Sequence, residues 1–204
     1  MKEKLLLIAC TMAAAACVMV LHEFAKAFAF FCTGKRKKKL FSLFQFHRYI
    51  DPIGMIFSLT SLSAFSKPSG YMVGGKKSNA AVGFAGFGSL ALMILGGIIF
   101  YRSYFSDFTY DGVFTPLGTR LLYYFTYYFV ILAISMFLIN FFPVSTFDIS
   151  MLIAAYVPER YFGLIYADAL TKSVLLVSIL FGLIGNASVF IANYFMNAGK
   201  MYRL

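Results

Sequence analysis

Three side chains able to do chemistry, His22, Glu23 and Lys26, stand inside the apolar run VLHEFAKAFAF at residues 20–30. On a helix His22 and Lys26, four apart, share one face with Glu23 beside them. This is one substitution away from H-E-x-x-H, in which two imidazoles one turn apart hold zinc and the carboxylate activates the metal's water. A second polar group lies far along the chain in NFFPVSTFD, residues 140–148, which carries Asn140, Pro143 and Asp148 at the end of another apolar run. Pro143 removes a helical donor, so local unwinding there is expected to carry Asp148 toward the first helix. An ionisable residue well inside a membrane helix costs about 2.5 to 3.5 kcal/mol on insertion scales, and its default reading is functional.

Lys26 decides what this group can do. A protonated ammonium offers three donors and no lone pair, whereas catalytic zinc takes three protein ligands and a water. Burial favours the neutral amine, but two nearby carboxylates push the other way. The expectation is therefore that Lys26 pairs with Asp148, Glu23 or both, placing an ammonium where a metal ion would sit. His47, the second histidine, follows a basic run and is read as an interfacial side chain rather than a substitute ligand.

The elements that must position these residues are membrane helices. The 204 residues are 61% hydrophobic and 13% charged, with a mean hydropathy of +0.80, far from a soluble domain. The net charge of +10 clusters between apolar runs, which speaks for orientation in a bilayer and not for nucleic acid. Cys10, Cys17 and Cys32 form no paired pattern and read as packing residues. The start of the chain is similar to a signal peptide, but its apolar run continues past Cys10 to residue 31, so a retained first span over 5–31 is expected.

Lys35, Arg36, Lys37, Lys38 and Lys39 then place that end in the cytoplasm and the amino terminus outside. They act as a topology signal, as a contact for anionic lipid, or as both. Residues 49–66 are apolar but short, broken by Asp51-Pro52 and Gly54 and flanked by basic residues, and fit a re-entrant or partly inserted helix. The Gly- and Ser-rich stretch 67–79 reads as a short β-hairpin or a loop. Further spans are expected over 80–101, where Gly83, Gly86 and Gly88 permit close packing, over 121–142, whose outer end carries an aromatic belt, and over 173–195. The fold class is an all-α polytopic membrane protein, a single domain over residues 1–204, with about four transmembrane helices, the re-entrant helix and the hairpin.

With these pieces in order, the chain resembles the site-2 protease family of intramembrane zinc metalloproteases. That family carries H-E-x-x-H on one membrane helix and N-x-x-P-x-x-x-x-D-G near the end of a later one, and this chain has HEFAK and NFFPVSTFDI. YIDPIG is similar to the family's I-D-P-I-G, and GFAGFGSLALM stands where A-G-P-x-x-N is expected. The departures are Lys26 for the second histidine, Ile149 for the glycine after the aspartate, and Phe87 and Leu90 in the A-G-P-x-x-N helix. The resemblance implies His22 and Asp148 as zinc ligands, Glu23 as general base, and Asn140 and Pro143 shaping the opening of the site.

The functional expectation is a pseudoprotease that holds a membrane-anchored protein or peptide client without cutting it, with no zinc bound because one ligand is lost. The alternative is an active zinc protease using His22, Asp148 and an atypical third ligand. A small transporter or channel also uses intramembrane Lys and Asp, but no repeated halves are visible. The location expected is the bacterial plasma membrane.

Overall fold

The structure, a computed structural model, describes residues 2–33, 43–67, 75–105 and 116–197. Its elements are α1 (Lys2–Thr33), a 3-10 turn at Phe46–Arg48, α2 (Pro52–Thr60), α3 (Lys76–Phe105), α4 (Leu117–Ile139), α5 (Asp148–Tyr156), α6 (Pro158–Leu180) and α7 (Leu183–Asn197). Four of them, α1, α3, α4 and α6, are long and apolar enough to cross a membrane. A rise of about 1.5 Å per residue carries even the 23-residue helices past the roughly 30 Å of a bilayer's hydrocarbon. The chain is an all-α polytopic membrane protein.

Small side chains let the first three long helices come together. Ala14, Ala15, Val18 and Met19 of α1 meet Leu90 of α3 and Leu132, Ala133 and Met136 of α4 in a core that excludes solvent. A second core joins Ile98, Tyr101 and Phe105 of α3 to Val130, Ile131 and Ile134 of α4 and to Ala192 and Met196 of α7. Between two lipid-facing helices there is little hydrophobic drive, so this close van der Waals fit supplies the cohesion.

Between α1 and α3 the chain makes an inward loop. Asp51 caps α2, its carboxylate accepting from Ile53 N at 2.8 Å and Gly54 N at 3.0 Å, and Pro52 takes the first helical position. Nine residues rise only about 14 Å, too little to cross. The chain turns at Leu62, whose φ is 51°, and returns extended, so that Lys67 N donates to Tyr49 O at 3.2 Å and the two ends meet. Gly54 is required there, because the carbonyl of Phe65 lies where a Cβ would be.

Two expectations are corrected. No strand is present among the described residues, and Lys76, Lys77, Ser78 and Asn79, expected in a β-hairpin, form the first turn of α3. The reason is a helical stripe that starts earlier than the apolar run: Ser78, Asn79, Val82, Gly83, Gly86 and Leu90 are all buried on α3. Of the rest of the proposed hairpin, residues 68–74 lie outside the described residues, as does the basic run 35–39. The single last span expected over 173–195 is instead two helices, α6 and α7, meeting at Gly182, whose φ of 68° suits glycine at a helix end. The short helix α5, which begins at Asp148, had no counterpart in the sequence reading.

Candidate functional site

Lys26 lies one turn beyond His22 and Glu23 on α1, and all three are fully or almost fully buried. Asp148 reaches them because α4 stops at Ile139. Past that end Asn140 holds the following turn: its side-chain amide donates to Met136 O at 2.9 Å, its side-chain oxygen accepts from Asp148 N at 3.4 Å, and its backbone oxygen accepts from Ile149 N at 3.3 Å. Asp148 thus starts α5 as an acidic residue in the first turn, favoured by the helix dipole. Gly86 of α3 supplies the opening, since a Cβ there would fall on the Asp148 carboxylate.

The ammonium of Lys26 sits between two carboxylates, 2.9 Å from Glu23 Oε1 and 2.9 Å from Asp148 Oδ1. The first contact is also a hydrogen bond. The second is an ion pair of the same length. His22 Nε2 stands 3.4 Å from Asp148 Oδ2 and 3.8 Å from Glu23 Oε1, while its Nδ1 lies 3.4 Å from the Ser89 hydroxyl. Ser66, on the returning segment, donates to Glu23 Oε1 at 2.8 Å. Outside the spans, Tyr49 donates its hydroxyl to Leu43 O at 2.8 Å, and burial together with the negative field of Glu23 raises its pKa above the ordinary phenol value.

Four helices and the inward loop therefore converge on one charged group. His22, Glu23, Lys26, Asn140 and Asp148 are all brought together, whereas His47 lies exposed on the 3-10 turn and takes no part. Ser66, Ser89 and Gly86 were missed as members of the site. A serine in an apolar run carries no signature of its partner, and the glycine pattern of α3 gave only a face for packing. Of its three small residues Gly83 admits Leu152, Gly86 admits Asp148, and Gly88 faces open space.

Zinc does not fit this donor set. Any ion placed to bind both carboxylates would meet the ammonium that already touches them, and an ammonium lends no lone pair. Among the described residues no group of three or more His, Cys, Asp or Glu side chains is arranged to hold a metal ion. This overturns the site-2 protease assignment: the zinc-ligand roles of His22 and Asp148 and the general-base role of Glu23 came only with that likeness. The protease and pseudoprotease readings, and the protease-like fold class, fall with it. What the resemblance took for a damaged zinc centre is a group of acids with its cation built in. No family model, no curated protein and no solved structure matches the chain.

Proposed function

We propose that the chain is a membrane scaffold, a helical binding protein whose centre is an ion lock. The observation that carries the reading is Lys26 Nζ, 2.9 Å from a carboxylate on each side in a site closed to solvent. Locked together, α1, α5 and the returning segment are joined into one unit. Since the described chain is mostly helix and includes four candidate spans, a partner is met in the membrane or at its surface. A membrane-anchored protein or peptide is the partner that fits.

The reading carries an orientation in a bacterial plasma membrane. The amino terminus lies outside, and Lys35, Arg36, Lys37, Lys38 and Lys39 lie in the cytoplasm, where they also draw anionic headgroups at about 1 kcal/mol per charge. Lys26→Met and the pair Lys26→Met with Asp148→Asn test the lock through thermal unfolding in detergent. The single variant leaves two buried carboxylates opposed and is expected to lose about 3 to 5 kcal/mol, and the pair to recover a large part of it. No recovery, or a wild-type midpoint that falls on adding a zinc chelator, overturns the lock. For the scaffold, photocrosslinkers on the lipid-facing helices are expected to trap a membrane-anchored protein in native membranes with the wild type and to lose it with Lys26→Met. Trapping that ignores this substitution would defeat the reading.

A further inference from the structure

Outside the charged centre, a pair of polar contacts fastens α6 to the turn leading into Asp148. Ser145 lies between Asn140, which shapes that turn, and Asp148, which enters the site. Its N–H donates to Asp168 Oδ1 at 2.8 Å, and its C=O accepts from the Tyr161 hydroxyl at 3.2 Å. Both backbone groups of one residue are therefore held by two side chains of one helix, seven residues and two turns apart on a single face. Lys172 pairs with the other oxygen of Asp168 and fixes that carboxylate from behind.

The rest of α6 is loosely attached. Tyr161, Leu175 and Ile179 are its only buried residues, and Phe162, Tyr166, Leu170 and Val174 are exposed around the remainder of the surface. A helix with so few packing contacts shifts more readily than α1 or α4, and here its polar grip is on the turn that sets the position of Asp148. Asn140 grips the far end of the same turn through Asp148 N and Ile149 N, so the turn that carries Asp148 is held at Ser145 by α6 and at its far end by Asn140. Val144, fully buried against Ile139, Leu175 and Ile179, ties the turn to α6 a second time.

We propose that α6 is a lever on the ion lock, with Asp168 and Tyr161 as positioning residues: through Ser145 they set where Asp148 stands relative to Lys26, so that a force on α6 from a membrane partner changes the strength of the lock. The inference rests on the lock reading above and adds the route by which a partner reaches it. Neither residue touches the charged group, and each acts through the turn alone.

The test uses the full chain in detergent or nanodiscs with two readouts. In Asp168→Ala combined with Tyr161→Phe, amide hydrogen exchange over residues 144–149 is expected to quicken about tenfold, as fits the loss of two hydrogen bonds, with exchange in α1 and α4 unchanged. The second readout is the isotope-labelled ammonium resonance of Lys26, which reports the carboxylates around it. It is expected to move in Asp168→Ala and to return in Asp168→Asn, which keeps an acceptor oxygen for Ser145. A Lys26 resonance indifferent to Asp168, even with faster exchange in the turn, overturns the lever and leaves Asp168 a local fastener. Failure of Asp148→Asn to rescue Lys26→Met overturns the lock independently, so the two ideas fail in different experiments.

Discussion

α1 and α6 are both helices of membrane-spanning length, yet they treat polar groups in opposite ways. In its most apolar window α1 has 39% of its residues buried, α6 only 11%. On α1 the two charges at mid-bundle, Glu23 and Lys26, face inward and meet other charges, sealed between α3, α5 and the returning segment. On α6 the polar residues Tyr161 and Asp168 form the line of attachment, and the apolar surface faces out. The lesson is that in a bilayer a polar side chain goes where a partner can satisfy it, because lipid offers none. Hydrophobic content alone thus says little about which face of a membrane helix is inside.

The contrast is sharpest at glycine. Gly86→Ala on α3 drives a Cβ into the Asp148 carboxylate and is expected to cost about 1 to 3 kcal/mol of stability in detergent, as overpacking does. The same change at Gly163 on α6 meets nothing within 4 Å and should be neutral or stabilising by roughly 0.5 to 1 kcal/mol, from helix propensity. Equal losses at the two sites in thermal unfolding would erase the distinction drawn between these regions.

A smaller effect is expected at the serine that reaches the cluster. Ser66→Ala removes the hydrogen bond to Glu23 and should cost about 1 kcal/mol; Ser178→Ala on α6 removes only a bond to its own helix, to Val174 O at 2.9 Å, and should be close to neutral. Paired midpoints in one detergent make the comparison. Least of all is expected from Tyr166→Leu, at 91% the most exposed large apolar side chain among the described residues: a change within about 0.5 kcal/mol. A large loss there would mean that α6 packs against something beyond this chain.

The charged centre was legible in part. The spacing of His22, Glu23 and Lys26 placed them on one face, and the rule that an ammonium cannot serve as a ligand led to the pairing of Lys26 with Asp148, Glu23 or both. Asp148 was drawn in because an aspartate among apolar neighbours needs a partner. Those inferences needed only residue type and helical period. The protease assignment failed because it moved from the order of motif fragments to a metal chemistry, and motif order says nothing about whether the ligands left can surround an ion.

Other misreadings have local causes. Lys76 to Asn79 look like loop material by composition but belong to α3, because their buried face continues the contact with α5. Gly182 in a long apolar run was invisible as a break: its left-handed φ is a property of the folded chain, not of glycine as such. The helix at Asp148 was hidden behind Pro143, which marks the end of one helix without announcing the next.

From its order of residues alone this protein had to be a membrane protein with a polar group it could not leave in lipid, since the length of its apolar runs and the cost of an unpaired charge hold whatever the fold. Which charges would meet was another matter. That Asp148 lies within reach of Lys26, that Gly86 leaves room for its carboxylate and that Ser66 completes the coordination of Glu23 depend on how four separated segments approach one another, and close packing in three dimensions sets those distances.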